Sequence, residues 1–157
     1  MKAPLFYSKI LLFGEYGIIE DSKGLSIPFN FFKGGLRIGD MSELIEKESN
    51  LNLKKFRDYL LKIEISTVEF DFEKLNLDLN KGMFFDSSIP QGYGVGSSGA
   101  LVAAFYDRYA INKITVLENL TKSKILVLKN IFSTMESFFH GKSSGLDPLN
   151  SYLSLPI

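Results

Sequence analysis

Ile89-Pro90-Gln91-Gly92-Tyr93-Gly94-Val95-Gly96-Ser97-Ser98-Gly99-Ala100 sets glycines at near-alternate positions, runs into two serines and opens an apolar run over residues 100–106. Glycine accepts positive φ and has no Cβ, so such a loop can bend tightly and aim several N–H groups at one point. If the apolar run is a helix, those N–H groups lie at its N-terminus, where unpaired donors and the macrodipole both favour an anion. The guest that suits this arrangement is a phosphate.

Several loop types compete for these letters. Gly94-Val95-Gly96-Ser97-Ser98-Gly99 satisfies the dinucleotide pattern G-x-G-x-x-G, which also requires a strand before it, a helix after it and an acidic residue about 20 positions on. Glu118 has that spacing but opens what reads as a second helix instead of ending a strand. Gly141-Lys142-Ser143 ends like a Walker A loop, yet the first glycine of that motif would fall on Glu136. A plain surface turn has no need to run straight into a small, apolar helix start such as Gly99-Ala100-Leu101-Val102-Ala103-Ala104.

The stretch Pro90-Gln91-Gly92-Tyr93-Gly94-Val95-Gly96-Ser97-Ser98 resembles the phosphate loop of the GHMP kinases, the superfamily of galactokinase, homoserine kinase and mevalonate kinase. Two further segments agree, in the family's order. Ser8-Lys9-Ile10-Leu11-Leu12-Phe13-Gly14-Glu15-Tyr16-Gly17 resembles the N-terminal substrate strand and turn. Glu136-Ser137-Phe138-Phe139-His140-Gly141-Lys142-Ser143-Ser144-Gly145-Leu146-Asp147 resembles the segment that carries the metal-binding glutamate and catalytic aspartate of mevalonate kinases. The three motifs span Lys9 to Asp147, essentially the whole chain. The resemblance implies an α+β fold in which helices cover a sheet, the N-terminal lobe of these kinases (ribosomal protein S5 domain 2-like). Residues 1–157 would then be one ATP-binding domain. The C-terminal lobe, which closes over the substrate and supplies another glycine-rich motif, is expected to be absent from this chain. The apolar end Tyr152-Leu153-Ser154-Leu155-Pro156-Ile157 fits that expectation, because free termini are usually polar and frayed.

The resemblance also assigns roles. Pro90, Gly92, Gly94, Gly96, Ser97, Ser98 and Gly99 would cradle the phosphates of ATP. Ser98 and Glu136 would hold Mg²⁺, with Ser97 able to exchange roles with Ser98; hydroxyl and carboxylate oxygens are what this ion selects. Asp147 would be the catalytic carboxylate, with Lys9 beside it to polarise the attacking hydroxyl, and Glu15, Tyr16 and Ser144 would face the substrate. A cradle, a metal, positive charge and a group to receive the alcohol's proton are the parts phosphoryl transfer needs. One departure stands out: most mevalonate kinases have Gly-Glu-His where this chain has Gly14-Glu15-Tyr16. A tyrosine still hydrogen-bonds but brings no positive charge near neutrality.

The expected reaction is therefore transfer of the γ-phosphoryl of Mg·ATP to a primary alcohol on a small hydroxy acid. Mevalonate to 5-phosphomevalonate, in isoprenoid precursor synthesis, comes first. The rivals are phosphomevalonate kinase, the related decarboxylase, a sugar kinase, or a nucleotide-binding fragment without catalysis. Lys9, Glu136 and Asp147 together favour an enzyme, since a binding module needs none of them. The resemblance also allows a homodimer of the full-length protein. As an incomplete enzyme, the chain alone is expected to turn over little or nothing.

Read without the resemblance, the same residues have plainer explanations. Lys9 would be a charge on the exposed face of an edge strand. Asp147 would cap a helix, since Ser144-Gly145-Leu146-Asp147 has the S-x-x-D shape, and Glu136 would be a solvated helix residue. His140 reads as a packed or surface residue.

Composition narrows the class. A chain of 157 residues can bury roughly 70% of its unfolded surface, enough for one real core. Hydrophobic residues at 45% and charged residues at 23% are those of an ordinary globular domain. Eighteen basic residues balance eighteen acidic ones, so no global field attracts nucleic acid or an anionic membrane, and any anion must be bound locally. With no cysteine and a single histidine, thiolate metal sites, disulfides and multi-histidine zinc sites are excluded. Residues 1–7 do not read as a signal peptide, and the longest apolar run is far too short to span a bilayer. A cytoplasmic protein is expected.

Patterning predicts strands over 5–13, 25–30, 31–38 and 82–88, and a helix over 52–63 from Leu53, Phe56, Leu60 and Ile63. Residues 68–79 stay ambiguous, with alternation at Val68, Phe70 and Phe72 giving way to a helix-like second half. Thr115-Val116-Leu117-Glu118 has the form of a capping box for a helix running through Leu117, Leu120, Lys124, Leu128 and Phe132 towards Phe139. The phenylalanines, including Phe6, Phe13, Phe84, Phe85, Phe105 and Phe132, are expected to be core.

Overall fold

The computed structural model describes residues 3–14, 24–117 and 119–157. In chain order its elements are β1 (Phe6–Phe13), β2 (Leu25–Ile38), α1 (Leu44–Lys62), β3 (Glu69–Phe70), α2 (Phe72–Asn80), β4 (Met83–Ser87), α3 (Ser97–Tyr109), β5 (Ala110–Ile111), α4 (Lys122–His140) and α5 (Leu146–Leu153). Strands β1, β2 and β4 form an antiparallel sheet with β2 in the middle, and β3 pairs with β5 in a separate two-stranded ribbon.

The two strands predicted over 25–30 and 31–38 are one. Tyr7 faces Lys33 across the ladder but Ser8 faces Phe29, so Asn30, Phe31 and Phe32 have no partner in β1. Extra residues on one strand bend it without ending it, and the irregularity falls where the sequence pattern broke. The chain end also reaches β2: Ser26 and Ile157 exchange backbone hydrogen bonds at 2.7 and 2.9 Å. Of the last residues, Tyr152 and Leu153 are buried, whereas Leu155 is exposed.

Helix α3 is the centre of the fold. It packs on β1 and β2 from one side and on α4 and α5 from the other. A helix covered on several sides must be apolar nearly all round, and Ala100, Val102, Ala103, Ala104, Phe105, Tyr106 and Tyr109 are all buried. The small residues let neighbouring elements approach. The large ones meet an aromatic core, where Phe56 lies edge-on to Phe105 at 4.9 Å and Tyr106 edge-on to Phe132 at 5.1 Å. Phe13, expected in the core, is instead exposed at the fading end of β1's burial, and Phe84 and Phe85 are only half-buried.

Helix α1 buries Leu53, Phe56 and Leu60 at the predicted spacing but begins at Leu44, eight residues earlier than 52. Its first turns expose Leu44, Ile45 and Leu51, so they carry no apolar stripe to read. Residues 68–79 resolve into β3 and then α2, capped by Asp71, whose carboxylate accepts from Lys74 N–H at 3.0 Å. The cap expected at Thr115 is not used. Helix α4 starts six residues later with Thr121 as its cap, accepting from Lys124 N–H at 3.3 Å. Leu117 stands in an exposed turn outside the helix, and Glu118 lies outside the described residues. Among the described residues no helix is long and apolar enough to cross a membrane.

Candidate active site

The loop leaves β4 anchored by Ser88, whose N–H donates to the Lys33 carbonyl at 2.9 Å, and by the buried Ile89. Gly92, Gly94 and Gly96 then adopt positive φ of 81°, 66° and 86°, which makes the alternate glycines a conformational requirement. A Cβ at Gly92 or Gly94 would meet nothing within 4 Å, and Tyr93 between them is 80% exposed. Pro90 is half-buried beside the entry to the loop. Gly96 occupies the N-cap position, so α3 begins at Ser97 and its first N–H groups face the loop. The Val95 carbonyl accepts from Lys9 N–H at 3.0 Å, tying the loop to the outer edge of β1.

That edge carries Lys9, and the solvent-facing reading of its side chain does not hold. Its Cγ lies 3.1 Å from where a Cβ on Gly96 would stand. The chain therefore passes beneath the loop, and Nζ reaches Asp147 Oδ1 at 3.1 Å, with the lysine side chain 10% and the aspartate 36% exposed. Asp147 is in the first turn of α5, as its spacing predicted. The N-cap is Gly145, with φ 75°, and not Ser144. Ser144 is exposed and accepts from Leu146 N–H at 3.3 Å.

Two glycines bring the helices together. A Cβ on Gly99 would stand 2.8 Å from the Asp147 carbonyl carbon and 2.9 Å from Pro148 N, and one on Gly145 would stand 2.2 Å from the Lys129 carbonyl oxygen on α4. Gly99 is thus buried against α5, where only a missing side chain permits contact. Because α3, α4 and α5 meet this closely, Ser98, Glu136 and Asp147 share one site although they are distant in sequence.

Ser98 Oγ donates to Glu136 Oε1 at 3.0 Å and lies 2.9 Å from His140 Nε2. A hydroxyl has one proton; with that proton on Glu136, the His140 nitrogen is the N–H donor. Ser143 Oγ donates to the other oxygen, Glu136 Oε2. Glu136 is 3% exposed. Burial pushes its carboxyl above the ordinary carboxylate range; the Ser143 hydrogen bond opposes this, the nearby Asp147 charge adds to it, and Ser98 and His140 oppose it. A divalent cation would offset both the cost of the buried charge and the repulsion from Asp147. Among the described residues no group of three or more His, Cys, Asp or Glu forms a metal cage. Mg²⁺ does not require one, since it binds through one or two carboxylates with phosphate and water completing its shell. The oxygen donors of Ser98 and Glu136 fit that chemistry.

Of the sequence-predicted site residues, Ser97 opens α3 half-buried, and Glu15 and Tyr16 lie outside the described residues. Two participants escaped sequence reasoning. His140 carried a usable signal, because Glu136 and His140 stand four apart on one helix and so share a face. Ser143 carried none, since only the fold of the turn brings it back to Glu136.

The fold is thus an antiparallel sheet backed by helices, with a glycine loop opening the central helix above a lysine–aspartate pair. The sequence model of the GHMP kinases N terminal domain matches residues 53–154, and the chain belongs to the GHMP kinase family. A crystal structure of L. major mevalonate kinase in complex with R-mevalonate is similar in fold, with a TM-score of 0.52 and 18% identity. The match covers 100% of this chain and 48% of that one, so this chain spans about half that enzyme's length. No curated protein matches the chain in sequence.

Proposed function

We propose that the chain is the ATP-binding lobe of a kinase that moves the γ-phosphoryl group of Mg·ATP to a primary alcohol of a small hydroxy acid, with mevalonate the first candidate. The observation that carries this reading is the Lys9–Asp147 ion pair at 3.1 Å, set beneath the glycine loop and beside the Ser98–Glu136 pair. A module that only bound nucleotide would have no use for a lysine buried against an aspartate at the mouth of its loop.

The loop N–H groups and the start of α3 bind the phosphates, as helix N-termini do. Ser98 and Glu136 would hold Mg²⁺, which when bound supplies charge neutralisation on the phosphates. Asp147 accepts a hydrogen bond from the substrate hydroxyl and aims its oxygen. A carboxylate is a weak base for an alcohol, so orientation is its main contribution. The Lys9 ammonium holds Asp147 in place and lends positive charge to the anionic oxygens of the transferring group. The substrate class rests on the resemblance of the three motifs and on the mevalonate bound by the L. major enzyme. Such an enzyme would work in the cytoplasm, where ATP is available.

The test is ADP release by the full-length protein over a panel of mevalonate, phosphomevalonate and sugar alcohols. Mevalonate-dependent turnover that requires Mg²⁺ is expected. A full-length protein that binds no ATP would sink the reading, and turnover with a sugar alone would replace the substrate.

A further inference from the structure

The turn from α4 to α5 contains a side chain that the chemistry above does not use. Ser143 is half-buried there. Its hydroxyl donates to Glu136 Oε2 and accepts from Gly145 N–H at 3.0 Å. Its carbonyl accepts from Ser133 Oγ at 2.6 Å, and Ser133 lies on α4 three residues before Glu136. One residue is therefore bonded to the carboxylate on α4, to the body of α4, and to the glycine that launches α5 and Asp147.

The terminal torsion of a glutamate is broad, with no strong intrinsic choice of which oxygen faces which neighbour. Two hydroxyls make that choice for Glu136, Ser98 on Oε1 and Ser143 on Oε2. Their fates differ once a cation is present. Ser98, the other residue that would hold the cation, stands on the Oε1 side, so that is the edge of Glu136 the cation would use. Ser143 sits on the far oxygen, where its hydrogen bond can persist. Resting on the kinase reading above, we propose that Ser143 is a positioning residue for the metal carboxylate. It holds Glu136 with one edge free for the cation, and through Gly145 it fixes that carboxylate relative to Asp147. Partners of this kind, which touch the ligand and not the metal, commonly govern affinity by 10–100-fold.

The experiment uses Mn²⁺ as the probe, titrated into the full chain with and without ATP and followed by water-proton relaxation. Ser143→Ala should weaken Mn²⁺ binding in the presence of ATP about tenfold or more, while ATP binding in EDTA stays unchanged. Ser143→Thr keeps the hydroxyl and should restore the affinity to within about threefold of wild type. Glu136→Gln combined with Ser143→Ala should bind no more weakly than Glu136→Gln alone, because Ser143 acts through that carboxylate. A folded Ser143→Ala protein with wild-type Mn²⁺ affinity overturns the proposal, as does an equal loss in the Ala and Thr variants. Failure of Ser143→Ala to fold also overturns it, since the hydroxyl would then serve the turn and not the metal. A wild-type chain that binds ATP but no Mn²⁺ with it removes the kinase reading itself, an outcome distinct from any difference between variants.

Discussion

The glycines of the loop and the glycines of the helix junction are the same residue put to opposite uses. Gly92 and Gly94 look onto open space, and their positive φ values are all that demands glycine. Gly99 and Gly145 are wedged against neighbouring backbone, where an added Cβ would overlap α5 or α4. The loop leaves room for a ligand. The junction fixes the distances between the helices that carry Ser98, Glu136 and Asp147. Catalysis by positioning tolerates little displacement, so for the proposed phosphoryl transfer the close-packed junction would matter as much as the open loop.

The largest effect is expected where the comparison is sharpest. Gly145→Ala combines a left-handed backbone with a Cβ 2.2 Å from the Lys129 oxygen and 2.6 Å from Ser133 N. It should cost about 3 kcal/mol or more from backbone strain and overpacking together, read from a denaturant midpoint. A midpoint near wild type would show that the junction yields easily and that the contrast is false.

Asp147→Asn keeps shape and removes charge. In the full-length enzyme kcat should fall by roughly 10²-fold, the scale of a positioned acid–base group, with ATP affinity nearly intact. Lys9→Met should act on the same step and combine with it less than additively, because the two side chains form one unit. Near-normal turnover in Asp147→Asn would leave the aspartate as a residue of α5's first turn and nothing more.

Gly94→Ala tests the other side of the comparison. With no neighbour for its Cβ, it should cost only about 1 kcal/mol for the left-handed conformation, while Mg·ATP affinity measured by calorimetry falls. Gly96 is a less clean probe, since its Cβ would also press on Lys9. A Gly94→Ala protein as unstable as Gly145→Ala would erase the distinction between loop and junction.

The smallest effect concerns Glu136. Its raised carboxyl means that the native state holds a proton more tightly than the unfolded chain does. Stability contributed this way is present at low pH and declines as pH rises from about 4.5 through the raised value. Glu136→Gln should therefore raise the melting temperature at neutral pH by a few degrees and flatten its dependence on pH over that window. The same variant should lose the stabilisation that Mg·ATP gives to wild type. A lower melting temperature for Glu136→Gln at neutral pH would show that the ionised carboxylate stabilises the site instead of straining it.

Much of this was written locally. The loop glycines, the start of α3 at Ser97, strands β1 and β4, and the place of Asp147 in a first turn all follow from neighbours a few residues apart. The family was readable from the three ordered motifs and is the family that residues 53–154 match. Other features resisted. The first turns of α1 are exposed and show no stripe, and Thr115 imitated the cap that Thr121 supplies. Capping letters recur by chance, and only packing selects among them.

The resemblance implied that Lys9 meets Asp147 and Ser98 meets Glu136; what remained for the tertiary structure was the distance, burial and bonding in each relation between distant segments. Letters alone could name a lysine in an apolar strand, but not that it is buried, nor that its ammonium stops 3.1 Å from Asp147. Nor could they separate Gly94, which faces open space, from Gly99, which faces another helix. Local conformation depends on the residue and its immediate neighbours, so it can be read along the chain. Burial, contact distance and the choice of hydrogen-bond partner depend on which surfaces the whole fold presses together, and Ser143 acquires its partner Glu136 only there.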